Sequence, residues 1–129
     1  MRIFLVRHGE SLGNVDKAVH TRLPDHAIPL SDRGQEQACA AGEFLAGYLC
    51  HSEMGKDAHI RIWTSPYMRT RQTAQAICER MGDFNVDIRE HINLCEQQFG
   101  LFDGIPDDEL QERYPDEHAH YAKCEEHEG

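Results

Sequence analysis

Arg7-His8-Gly9-Glu10 is the stretch of this chain best suited to chemistry. Near neutral pH an imidazole keeps a nitrogen lone pair that can attack phosphorus, and the adjoining guanidinium can grip phosphoryl oxygens through a bidentate fork. The same tetrapeptide also reads as a turn histidine beside a surface arginine, and alone it does not separate the two. A second cation, Arg69, lies in Ser65-Pro66-Tyr67-Met68-Arg69. Ser65 suits a helix N-cap and Pro66 the first helical position, which puts Arg69 within the opening turn. Long helical side chains lean back toward the amino end, so Arg69 is expected to point at the sheet edge that carries His8; the alternative is a solvated helix arginine.

The elements that must position these groups follow from periodicity. Ile3 to Val6 is an apolar run ending at a glycine turn, the pattern of a buried strand, and ligands in open α/β sheets bind just past such ends. Ser31 caps a helix from about Asp32 to near Cys50, with Ala38, Ala41, Leu45 and Tyr48 on one face. Gly42 and Gly47 weaken that helix by about 1 kcal/mol each relative to alanine and permit close packing on the sheet. After a polar connector, Cys50 to His59, a short strand is expected over Ile60 to Trp63, then a helix with Ala74, Ile77 and Met81 on one face, then a third strand marked by Val86 and Ile88. His91 to Gly104 reads as a functional loop, and the run Asp103 to Glu109 opens a short helix with Pro106 first and acids in its first turn. Strands alternating with helices predict right-handed βαβ crossovers, a mainly parallel sheet and an α/β fold in one domain, 1–129.

In their order these motifs resemble the histidine phosphatase superfamily, also called the phosphoglycerate-mutase-like family. The resemblance rests on Arg7-His8-Gly9-Glu10-Ser11 with Asn14, on Leu30-Ser31-Asp32-Arg33-Gly34-Gln35-Glu36-Gln37-Ala38, on Ser65 through Thr73, and on Glu96 to Gly100. It implies a three-layer αβα sandwich, here incomplete at its carboxyl end. It also implies that His8 is a nucleophile that becomes phosphorylated, that Arg7 and Arg69 clamp the phosphate, and that Glu96 protonates the leaving oxygen. Substrate binding falls by the same resemblance on Arg7, Ser11, Asn14 and Arg69, with no metal and no other cofactor. Glu96 stands among Leu94, Cys95, Phe99, Leu101 and Phe102, an apolar setting expected to keep it protonated long enough to act as an acid.

The family pattern also carries a second histidine in a late Ser/Thr-His-Gly context. None of His20, His26, His51, His59, His91, His118, His120 and His127 follows an apolar strand and precedes a glycine. The sequence is therefore expected to be a fragment of a longer protein, or else a short form with impaired catalysis; Glu126 to Gly129 shows no helix stop and favours the first. A missing central strand would leave an unpaired edge, and with it a tendency to form a homo-oligomer. The expected activity is phosphomonoester hydrolysis. Mutase chemistry is disfavoured because Gln97-Gln98-Phe99-Gly100 stands where phosphoglycerate mutases carry Arg-His-Tyr-Gly. A non-catalytic phosphate-binding or interaction module is the reading from a different class.

Composition narrows the partners. The net charge of -10 disfavours nucleic acid and anionic membranes, which are bound through clustered Lys and Arg. A small phosphorylated substrate remains compatible, because Arg7 and Arg69 can make a local positive field; Arg22 is a third member or a surface residue. No apolar run reaches membrane-spanning length and no signal-peptide pattern is present, so a cytoplasmic location is the expectation. The five cysteines, odd in number and without a Cys-x-x-Cys pair, predict reduced thiols, with Cys39 in the core and Cys95 a small buried hydrophobe beside Glu96. His118, His120, Cys124 and His127 lack the second half of a zinc site and read as part of an exposed acidic helix.

Overall fold

Ser31 caps the longest helix as its sequence predicts. Its hydroxyl oxygen accepts from the Gly34 backbone N–H at 3.0 Å, and the helix runs over Asp32–Cys50. A computed structural model describes this and the rest of residues 2–52, 55, 58–96, 100–102, 105 and 107–128. In chain order the elements are α1 (Leu12–Val15), α2 (Asp32–Cys50), β1 (His59–Thr64), α3 (Met68–Arg80), β2 (Asn85–Glu90), α4 (Asp107–Arg113) and α5 (Pro115–Glu128). Single 3-10 turns lie at Lys17–Thr21, Asp25–Ala27, Ile92–Leu94 and Gly100–Phe102.

Residues 1–96 make one compact unit and residues 97–129 another. In the first, β1 and β2 pair in parallel from His59↔Asn85 to Thr64↔Glu90, with α3 as the connection between them. Ile60 and Ile62 alternate with the exposed His59, Arg61 and Trp63, so one face of β1 packs while the other meets water. The packed face joins Leu49, Ile77 and Met81 with Leu45, Phe84 and Val86; a second cluster joins Leu30, Ala38 and Ala76, with Cys39 against it. Gly42 provides close packing, though on α3 rather than on the sheet: a Cβ there would lie 2.8 Å from Arg80 Cβ and 2.9 Å from Ile77 Cα. Cys39, Cys50, Cys78 and Cys95 are free thiols. In the second unit Phe102 packs near Tyr114 and His118, and Glu109 pairs with Arg113 one turn on.

The strand expected over Ile3 to Val6 does not form. Residues 2–10 carry no strand pairing, and Leu5 is 96% exposed. A strand is held by its ladder, and neither β1 nor β2 pairs with this segment. Arg2 donates to the Tyr48 hydroxyl and Phe4 meets the Tyr48 ring edge, which lays the segment along α2. The start of α3 also differs from expectation. Tyr67 is the N-cap residue, and Ser65 instead shares a 2.7 Å hydrogen bond with Thr70 Oγ1. Arg69 is still in the first helical turn.

An ion pair ties α3 to β2: Arg71 Nε and Nη2 donate to the two Glu90 carboxylate oxygens at 2.8 and 2.6 Å. Those hydrogen bonds hold the Glu90 carboxyl below the usual carboxylate range. A carboxyl depressed in the folded state contributes stability above its unfolded value, and that contribution is lost as pH falls through the depressed folded value. Thermal melts should therefore show a Glu90→Gln chain melting lower than wild type at neutral pH, with the difference closing on acidification. A constant difference down to strongly acid pH would contradict the assignment.

Among the described residues no helix is long and apolar enough to cross a membrane.

Candidate functional site

The His8–Glu10 turn is clamped between the amino ends of two helices. Gly9 N–H donates to Thr73 Oγ1 at 3.1 Å, and Thr73 Oγ1 donates to the Arg69 carbonyl at 2.8 Å, which ties the turn to the opening of α3. On the other side Glu10 N–H donates to Gln37 Oε1, Ser31 N–H to the Glu10 carbonyl, and Ser31 Oγ to Glu10 Oε1 at 2.7 Å, all on α2 or its cap. The backbones touch: a Cβ on Gly9 would fall 2.3 Å from the Gly34 carbonyl oxygen, and one on Gly34 would fall 2.0 Å from that of Glu10. Beyond the turn, Leu12 N–H reaches the Pro29 carbonyl, Ser11 bridges Leu30, and Leu30 N–H donates to Gln72 Oε1 of α3.

Within this clamp the half-buried His8 places Nδ1 2.7 Å from the Gly9 carbonyl oxygen. A carbonyl only accepts, so the neutral ring carries its proton on Nδ1 and its lone pair on Nε2. If Nε2 forms a bond to phosphorus, the ring gains positive charge and the Nδ1–H to Gly9 contact strengthens into a charge-assisted hydrogen bond.

The expected arginines have different settings. Arg7 is exposed. Arg69 is buried, its side chain 8% exposed, and its guanidinium lies 4.8 Å from the centre of the Tyr67 ring. Asp25, which no local pattern singles out, accepts from Arg69 Nη1 at 2.9 Å and from Nη2 at 3.2 Å, and its carbonyl accepts from Nη1 at 2.8 Å. Arg22 is exposed and paired with Asp16 at 3.1 Å.

Ser11 and Asn14 sit beside the turn but are used locally. Asn14 N–H donates to Ser11 Oγ and Ser11 N–H to Asn14 Oδ1, a reciprocal cap on α1. Glu96 is exposed, as is Leu94 at 51%. No hydrogen bond or ion pair joins Glu96 to His8, Arg7 or Arg69 among the described residues. Phe99 and the side chain of Leu101, two of its expected apolar neighbours, lie outside those residues. Among the described residues no three His, Cys, Asp or Glu side chains converge as a metal site would require.

Removing Ser31 Oγ should loosen the clamp, since it caps α2 and holds Glu10. Ser31→Ala is expected to cost about 1–2 kcal/mol by urea unfolding, with Ser31→Thr close to wild type. Equal stability in all chains would show that neither contact matters.

The sequence model of the histidine phosphatase superfamily (branch 1) matches residues 3–129. A phosphoglycerate mutase-like protein, AT74, of Arabidopsis thaliana is 41% identical over 102 residues, which cover 78% of this chain and 32% of that protein. The broad-range acid phosphatase DET1 of Saccharomyces cerevisiae is 31% identical over 124 residues, covering 73% of this chain and 37% of that protein. The chain thus spans about a third of the length of these relatives. A solved structure described as Mycobacterial hydrolase 1 shares the fold, with a TM-score of 0.57 at 23% identity over 85% of this chain and 46% of that one.

Proposed function

The chain belongs to the histidine phosphatase superfamily, and from that premise we propose that it supplies the phosphoryl-accepting half of a metal-independent phosphomonoester hydrolase. The observation that carries this reading is the His8 tautomer: Nδ1–H is committed to the Gly9 carbonyl, leaving the Nε2 lone pair available in a turn pinned against the helix of Arg69. In the first step Nε2 attacks phosphorus and the bond from phosphorus to the ester oxygen breaks, while Arg7 and Arg69 hold the non-bridging oxygens. Glu96, in its acid form, gives its proton to the departing oxygen. In the second step water attacks the phosphohistidine, the phosphorus–nitrogen bond breaks, inorganic phosphate leaves, and the carboxylate of Glu96 takes the water's proton. Glu96 is exposed.

Hydrolysis is preferred to mutase transfer because Gln97-Gln98-Phe99-Gly100 offers no arginine for a substrate carboxylate. The likeness to a yeast protein named a broad-range acid phosphatase supports a permissive phosphomonoester substrate class. Incubating the chain with p-nitrophenyl phosphate and quenching in alkali should give an acid-labile phosphoryl group on His8, detected by phosphorus NMR and peptide mass analysis. Absence of that adduct from folded protein would overturn the reading. An adduct that forms without release of phosphate would assign the chain to a phosphate-accepting module instead.

A further inference from the structure

We propose that Asp25 is a positioning residue for phosphate binding by Arg69; the proposal rests on the reading of His8 and Arg69 given above. A guanidinium has five N–H donors in a rigid plane. Asp25 takes three of them, both on Nη1, through its carbonyl and Oδ1, and one on Nη2, through Oδ2. What remains is Nε–H and the second Nη2–H. These two point the same way and form the side-on edge of the fork, the other geometry in which arginine holds two oxygens of one anion.

That edge is open. Among the described residues Nε has no hydrogen-bond partner, and no buried side-chain nitrogen or oxygen lacks one, so Nε keeps a narrow contact with solvent in a side chain 8% exposed. The Tyr67 ring lies 4.8 Å from the guanidinium carbon and fixes the plane of the group. Asp25 is itself held. It opens the Asp25–Ala27 turn, whose following residue, Ile28, is fully buried, and His20 Nδ1 stands 3.7 Å from Oδ1. The carboxylate therefore orients a buried cation along its end-on edge while leaving the adjacent side-on edge for a phosphoryl group. Such preorganisation strengthens binding by removing the freedom a long side chain would otherwise lose.

Simple electrostatics predicts the opposite sign, because deleting a negative charge beside an anion site should strengthen anion binding. The two effects are separated by measuring inorganic phosphate affinity of the full chain by calorimetry, well below the melting temperature. Asp25→Ala is expected to weaken phosphate about tenfold, and Asp25→Asn, which keeps the shape and one acceptor, to weaken it less. Arg69→Ala is the reference, with a loss on the order of a hundredfold. If Asp25→Ala does not fold, Asp25→Asn carries the test. Unchanged or tighter phosphate binding in a folded Asp25 variant, alongside the Arg69→Ala loss, would overturn the positioning role and leave the reading of His8 and Arg69 intact. Wild-type chain that neither binds phosphate nor forms the His8 adduct would overturn both.

Discussion

Replacing His8 with alanine should abolish the acid-labile phosphoryl adduct and lower p-nitrophenyl phosphate turnover by a factor on the order of a thousand or more. The expectation is large because covalent catalysis divides one difficult displacement into two, and no other described side chain has the same combination of a fixed tautomer and a place in the turn beside α3. The fold should survive. His8 is half-buried and its side chain makes one hydrogen bond, to its neighbour's carbonyl, so the stability cost is about 1 kcal/mol or less. Turnover by wild type and variant is measured from mildly acidic to neutral pH, with magnesium or a chelator added in parallel. An His8→Ala chain that keeps wild-type turnover would move the nucleophile elsewhere; a magnesium requirement would refute the metal-independent mechanism.

Gly34→Ala is expected to be the most destabilising single-methyl change in the first unit, at about 3 kcal/mol. The added Cβ would lie 2.0 Å from the Glu10 carbonyl oxygen and 2.8 Å from its carbon, both backbone atoms that cannot swing aside. Relief requires moving the His8–Glu10 turn off the start of α2, which also breaks the Ser31 hydrogen bonds to Glu10. Thermal melting should fall by roughly 10 °C. Gly47→Ala is the control, because no atom lies within 4 Å of a Cβ there and the helix should gain stability from the alanine. Equal melting of Gly34→Ala and wild type would mean that the turn and α2 do not touch. The same variant links stability to function: displacing the turn carries His8 with it, so adduct formation should fall in the fraction that still folds.

The two effects arise at one junction, where residues 9–10, the cap of α2 and the first turn of α3 meet. Gly9 and Gly34 are needed there for approach distance rather than for backbone angle, as neither adopts positive φ. The sequence shows Gly9 as the end of an apolar run and Gly34 as a residue of a helix start. That they abut is visible only once the chain is folded.

What the sequence by itself determined are the features governed by near neighbours along the chain. The bounds of α2 follow from a Ser31 cap and an apolar stripe, and β1 and β2 follow from short β-branched runs. The order of motifs was enough to indicate the family that the match over residues 3–129 shows. Tertiary structure alone decided the rest, because each remaining feature depends on a partner distant in sequence. Ile3 to Val6 has strand composition, yet composition cannot supply a ladder, and neither β1 nor β2 pairs with it. Glu96 has apolar neighbours in sequence, yet exposure is set by what packs over a residue in space. Asp25 and Arg69 stand 44 positions apart, and only the packing of the Asp25–Ala27 turn against α3 reveals that one carboxylate holds the guanidinium's end.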